Sequence, residues 1–124
     1  MRILLVDDSE DVMEAFSQLL EFSGATVKAT MSPHQALTLL DDDKVDLLIS
    51  DIGMPEMDGL TFIQAVREKK NGRALPAIAV TGFGRAADVE RALAAGFDSH
   101  VNKPVDIEAV ERIACKLLKR SEAA

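Results

Sequence analysis

Two adjacent acids, Asp7 and Asp8, directly follow the apolar run Ile3-Leu4-Leu5-Val6. A third acid, Asp51, closes a second run, Val45-Asp46-Leu47-Leu48-Ile49-Ser50, and a third run, Ala77-Ile78-Ala79-Val80, ends on the hydroxyl of Thr81. A fourth short stretch ends on Lys103-Pro104. If these runs are parallel strands, the five side chains gather at one edge of one sheet. Open α/β sheets bind ligands there, outside the carboxyl ends of the strands and near the point where strand order reverses. Carboxylates packed that closely repel, so one has its pKa raised unless a cation joins them. Magnesium suits such a set, because it takes one or two carboxylates, keeps several waters and leaves positions for phosphate oxygens. Lys103 supplies a point charge for a phosphoryl group, and Thr81 a hydrogen bond. One carboxylate is then the nucleophile. Phosphoryl transfer to it asks chiefly for in-line positioning and for neutralisation of the equatorial oxygens.

Each part has a plainer reading. A lone acid after a strand is usually a helix N-cap, and a lone Lys-Pro is usually a turn. The full set, in this order and on elements of this kind, outweighs those readings.

Strand-like and helix-like patterns alternate five times along the chain. The first strand covers about residues 2–6, and Val12, Ala15, Phe16, Leu19 and Leu20 then recur at helical spacing until Gly24. The stretch Thr26–Thr30 is less apolar, as an outer strand is. Ser32-Pro33 reads as an N-cap followed by proline in the first turn, with Ala36, Leu37 and Leu40 inward. A strand over about 45–50 is apolar except for Asp46, the pattern of a parallel strand covered on both faces. Asp58 caps a helix that turns Leu60, Ile63 and Val66 inward, and Pro76 starts the fourth strand. An alanine-rich helix over about 85–95 stops at Gly96, and a short strand follows at about 99–102. Asp106 caps a last helix with Ile107, Val110, Ala114 and Leu117 on one stripe. Repeated βα units favour a parallel sheet with helices on both faces.

The 124 residues fit one domain, residues 1–124, and the composition (48% hydrophobic, 28% charged) is that of a soluble globular protein. With a net charge of −7 and no basic patch, direct binding to nucleic acid or an anionic membrane is disfavoured. The run Asp41-Asp42-Asp43 reads as a solvated helix end, and His34 as a surface residue. Cys115, the single cysteine, allows no internal disulfide and suits a reducing compartment. No signal region precedes the first strand, and no run approaches the roughly 20 apolar residues of a bilayer span. The expectation is a cytoplasmic protein or a soluble piece of a larger one.

The sequence resembles the receiver domains of two-component response regulators, of which single-domain chemotaxis regulators are the simplest form. The resemblance spans essentially the whole chain. It rests on Leu5-Val6-Asp7-Asp8-Ser9, on residues 46–59 from Asp46 through Asp51 to Asp58-Gly59, on Ala79-Val80-Thr81-Gly82, on Ala94-Ala95-Gly96-Phe97 and on Lys103-Pro104. It implies a flavodoxin-like three-layer (βα)5 fold with a five-stranded parallel sheet in the established order 2-1-3-4-5. It further implies Asp51 as phosphoacceptor, Asp8 as a direct magnesium ligand, Asp7 as a ligand largely through water, and the backbone carbonyl of Gly53 completing the metal shell. Thr81 and Lys103 would contact the phosphoryl group, and the Lys103–Pro104 peptide would be cis. The implied donor is a phosphohistidine on a histidine kinase or phosphotransfer protein. Phosphorylation would draw Thr81 toward the phosphate, move the aromatic of the fifth strand inward, and change partner affinity on the face of helix 4, strand 5 and helix 5.

Three positions depart from the family pattern. His100, three before Lys103, stands where Tyr or Phe is commoner; either it swings with Thr81 and its charge makes the switch pH-sensitive, or it is a half-exposed strand histidine without that role. Gly53 offers no side chain to orient a hydrolytic water and Phe83 is placed to shield the site, so slow self-dephosphorylation is expected. Val105 stands where an aromatic is frequent.

Two other functions compete with the phosphorylatable switch. A phosphatase with an aspartate nucleophile wants a second acid two residues on, where this chain has Gly53, and wants a cap domain as well. A receiver-like docking module that binds a partner without phosphorylation is the remaining alternative. The intact acid, threonine and lysine set argues against it.

Overall fold

The apolar runs and helical stripes become β1 (Arg2–Val6), α1 (Glu10–Phe22), β2 (Thr26–Thr30), α2 (Pro33–Asp42), β3 (Leu47–Asp51) and α3 (Gly59–Glu68). A 3-10 turn at Lys70–Gly72 leads to β4 (Ala77–Thr81), α4 (Ala86–Ala95), β5 (Ser99–Asn102) and α5 (Ile107–Ala123). The computed structural model describes residues 1–42, 44–53, 57–82, 86–103 and 106–123, with 86 and 119–123 described by their backbone alone. All strand pairs are parallel, and the sheet order is β2-β1-β3-β4-β5. This is the expected flavodoxin-like three-layer fold.

The period of two along each strand divides the core between the two faces of the sheet. Leu4, Val6, Leu48, Ala77 and Ala79 meet Ala36, Leu40, Phe62, Ile63, Val66 and Ala92 from α2, α3 and α4. Ile3, Leu5, Leu47, Ile49, Ile78 and Val80 meet Phe16 and Leu20 of α1 and Val110, Ala114 and Leu117 of α5. Every residue of β3 and β4 is therefore buried, which is why those runs read as continuously apolar.

The ends of most elements follow the expected chemistry. Gln35 N–H donates to Ser32 Oγ at 3.3 Å and Pro33 opens α2. Thr61 N–H donates to the N-cap Asp58 at 2.8 Å, and Glu108 N–H to Asp106 at 3.0 Å. Gly24 (φ +100°) and Gly96 (φ +136°) follow α1 and α4 in a conformation that favours glycine.

Several expectations are corrected. The third strand starts at Leu47 rather than Val45 and includes Asp51. Asp46 stands just before it because it closes on the start of β1. Its carboxylate accepts from Arg2 N–H, and its own N–H donates to the Arg2 carbonyl, both at 2.8 Å. On α1, Phe16 and Leu20 are buried and Val12 half-buried, but Ala15 and Leu19 are exposed. The helix rests on Met13, Phe16 and Leu20, and at about 100° per residue Ala15 and Leu19 fall a quarter turn or more from the centre of that stripe. On α3, Ile63 and Val66 are fully buried, Leu60 only half-buried, and the unexpected Phe62 completely enclosed. The fourth strand begins at Ala77, one residue after Pro76.

Candidate functional site

Register brings the chemical residues together. Val6 pairs with Ser50, Asp51 with Val80, and Thr81 with Asn102. The residues that end or follow these strands stand side by side as a result. Lys103 extends the ladder by one bond, its N–H donating to the Thr81 carbonyl at 2.9 Å. The chain passes from β1 out to β2 and then back across to β3, so Asp7 and Asp51 flank the point where strand order reverses.

Asp7, Asp8 and Asp51 each place one carboxylate oxygen within 4.8 Å of the others. Asp7 and Asp51 are buried and Asp8 is exposed. Asp51 Oδ2 accepts from Lys103 Nζ at 3.2 Å and Asp51 Oδ1 from Gly53 N–H at 3.1 Å. Asp7 Oδ1 accepts from Ser9 N–H at 2.9 Å, and Asp7 Oδ2 lies 3.6 Å from Lys103 Nζ. Neither Asp8 nor Asp51 caps a helix. Ser9 caps α1 and Asp58 caps α3. The plain structural reading of both acids therefore fails.

Burial is the largest influence raising the Asp7 pKa, and the charges of Asp51 and Asp8 add to it against the opposing Ser9 N–H and Lys103. Repulsion between carboxylates, the cause expected from sequence, is thus secondary to desolvation. Burial also disfavours the Lys103 charge, but Asp51 and Asp7 outweigh it and lift the Lys103 pKa above 10.5. Anionic oxygen donors, open to solvent at Asp8, fit a hard divalent cation such as magnesium.

Thr81 is 2% exposed, and its hydroxyl donates to Asn102 Oδ1 at 2.8 Å. Val101 points into the α1–α5 core, so His100 and Asn102 project from the opposite face, beside Ala79 and Thr81. His100 is half-buried and pairs with the small Ala79.

Three contributors escaped sequence reasoning. Asn102 carries no recognisable signal without the β4–β5 register. Ser9 acts through its backbone N–H, which no side-chain pattern reveals. Gly59 was visible as part of Asp58-Gly59, but not its purpose. Its N–H donates to the Ile52 carbonyl at 2.8 Å, and a Cβ there would lie 2.4 Å from Ile52 Cα. Only glycine lets α3 start against the segment that follows Asp51. Phe83, Val105 and the Lys103–Pro104 peptide lie outside the described residues.

The chain belongs to the response regulator receiver domain family, whose model matches residues 3–114. It is 44% identical over 106 residues to an uncharacterized 14.6 kDa protein of Leptolyngbya boryana, covering 86% of this chain and 81% of that protein. It is 33% identical over 105 residues to the polar-differentiation response regulator DivK of Brucella ovis, covering 85% of each. Among solved structures, the receiver domain of the sensor histidine kinase PA1611 from Pseudomonas aeruginosa superposes with a TM-score of 0.88 at 27% identity, covering 95% of this chain and 97% of that one. That domain holds a magnesium ion in its active-site cleft. The protein is accordingly a receiver domain of two-component signalling. Among the described residues no helix is long and apolar enough to cross a membrane.

Proposed function

We propose that residues 1–124 act as one receiver that takes a phosphoryl group onto Asp51 in a magnesium-dependent reaction and passes the change on through protein contacts. The observation that carries this reading is the buried Asp51 carboxylate, with the Lys103 ammonium 3.2 Å away and the oxygens of Asp7 and Asp8 beside it. The donor is a phosphohistidine of a histidine kinase or phosphotransfer protein. Its P–N bond breaks as the bond from Asp51 to phosphorus forms, and the leaving imidazole keeps the electron pair.

Lys103 already stands where negative charge on the transferring group develops, and it needs no reorganisation to neutralise it. Gly53 N–H holds the other Asp51 oxygen and so fixes the carboxylate plane. Both Asp7 oxygens are close to donors, Ser9 N–H and Lys103, which favours a water-mediated part in metal binding over a direct one. Asp8, Asp51 and the Gly53 carbonyl would hold magnesium, which when bound supplies positive charge to the phosphoryl oxygens. Thr81 then donates its hydroxyl to the new phosphate, and His100, on the same face, follows it. No separate substrate is turned over. Gly53 is exposed with open space around it and presents no group to a hydrolytic water, so the acyl phosphate decays slowly. The place of work is the cytoplasm, in keeping with a lone, exposed Cys115.

The test is incubation with magnesium and acetyl phosphate followed by intact mass, beside an Asp51→Asn control. A gain of one phosphoryl group by the wild type alone supports the reading. No gain by folded, magnesium-bound protein would overturn self-phosphorylation from a small donor and favour a module that docks without it or a strict need for its own kinase.

A further inference from the structure

We infer that Asn102 is a positioning residue that holds Thr81 in its resting orientation and so sets how readily the receiver switches. This rests on the reading of Asp51 as phosphoacceptor. Thr81 has one hydroxyl proton, and it is given to Asn102 Oδ1 at 2.8 Å, toward β5 and away from Asp51. Thr81 is almost fully buried, so that proton has few other places to go. The β4–β5 register sets Thr81 opposite Asn102, and the bond from Lys103 N–H to the Thr81 carbonyl fixes the pairing on the next step. The side-chain bond is therefore part of the ladder geometry.

Thr81 cannot donate to a phosphoryl group on Asp51 while it donates to Asn102. Switching exchanges one acceptor for the other. The phosphoryl oxygen is charged and the Asn102 carbonyl is neutral, so the exchange runs forward once the acyl phosphate exists. The Asn102 bond stabilises the unswitched state by the worth of one neutral hydrogen bond, a factor of about five in the equilibrium. A ligand shifts such an equilibrium only by its differential affinity, so a weaker resting bond means a tighter grip on the phosphoryl group. Asn102 is exposed, and the rest of β5 does not depend on its side chain for burial. A leucine there removes the acceptor while keeping the number and branching of the side-chain heavy atoms, and the exposed position leaves room for its larger methyl groups.

The test uses the full chain with magnesium and beryllofluoride, a stable stand-in for a phosphoryl group on a carboxylate, and four forms: wild type, Asn102→Leu, Thr81→Val and the double variant. Two quantities are measured: the affinity for beryllofluoride, and the Thr81 χ1 rotamer in the resting wild type and Asn102→Leu from NMR scalar couplings. The expected result is a single Thr81 rotamer in the wild type and averaging in Asn102→Leu. Beryllofluoride should bind about fivefold more tightly to Asn102→Leu, and the gain should vanish in the Thr81→Val background. Unchanged rotamers, or a gain that persists without the Thr81 hydroxyl, would overturn the role of Asn102 while leaving Asp51 as acceptor. Failure of the wild type to take up beryllofluoride at all would overturn the reading of the site, and this inference with it.

Discussion

Lys103 Nζ stands 3.2 Å from Asp51 Oδ2, and the same ammonium lies 3.6 Å from Asp7. One cation therefore spans two buried acids at the ends of different strands. Together with the N–H groups of Ser9 and Gly53, it offsets the burial and mutual repulsion of the two carboxylates. In the proposed transfer it would already be aimed at the phosphoryl oxygens.

Lys103→Met should therefore lose on the order of 10²–10³ in the rate of phosphorylation by acetyl phosphate, the usual cost of one preorganised charge donor. Intact mass against time measures it. The same change removes the opposing cation from Asp7, whose pKa rises further. A rate within threefold or so of wild type would show that the metal alone does the electrostatic work, against the expectation of preorganisation.

The raised Asp7 pKa has a definite sign in stability. The folded chain binds this proton more tightly than the unfolded chain does. Its contribution is thus fully present below the ordinary value of 3.8 and is lost as pH rises through the folded value. Metal-free protein should lose stability from this group as pH climbs above 3.8, and Asp7→Asn should flatten that part of the profile. Lys103, also raised, contributes below 10.5 and loses its part only above that, on the alkaline side. Magnesium held by the ionised acids should add stability at higher pH, about 2.7 kcal/mol at a hundred times its Kd. Urea unfolding across pH, with and without magnesium, checks all three signs.

Away from the site, Arg67 ties α3 to the loops at the far edge of the sheet. Its guanidinium donates to the carbonyls of Gly96, Gly72 and Leu75 and reaches Asp98 Oδ2 at 3.1 Å, while Asp98 also accepts from Ala77 N–H at 2.9 Å. Arg67→Ala should cost about 2–3 kcal/mol in urea unfolding, because it strips several carbonyls of a donor at once. Beryllofluoride uptake in native buffer should stay near the wild-type level.

Gly59 and Gly53 make a matched pair. A Cβ at Gly59 meets Ile52 Cα at 2.4 Å, whereas a Cβ at Gly53 meets nothing within 4 Å. Gly59→Ala should therefore destabilise by about 1–3 kcal/mol despite alanine's better helix propensity, and it should slow phosphorylation by displacing the segment after Asp51. Gly53→Ala should fold normally. Equal stability of the two variants would contradict the close approach of α3 to Ile52.

The sequence made the site more legible than the packing. Acids, hydroxyl and lysine could be placed because each follows an apolar run, and the parallel sheet then forces strand ends together. What stayed hidden depends on register or on helix rotation. Asn102 becomes a partner of Thr81 only once β4 and β5 are aligned. Arg67 carries no sequence signal, since nothing local shows that two loops bring their carbonyls to it. The start of the third strand was misplaced because Asp46 interrupts the run for a reason on another strand, the backbone of Arg2.

The rotation of α1 can be tested directly. Spacing alone puts Leu19 and Leu20 in the same stripe, but Leu20 is 3% exposed and Leu19 51%. A buried leucine cut to alanine loses both its transfer free energy and the packing around it, so Leu20→Ala should cost about 2–5 kcal/mol. Leu19→Ala removes little buried surface and puts the best helix former in its place, so its cost should stay within about 0.5 kcal/mol. Phe22, 94% exposed at the end of the same helix, should behave like Leu19. Urea midpoints for the three variants decide the matter. Equal losses for Leu19→Ala and Leu20→Ala would mean that the helix sits about its axis as the spacing alone suggests.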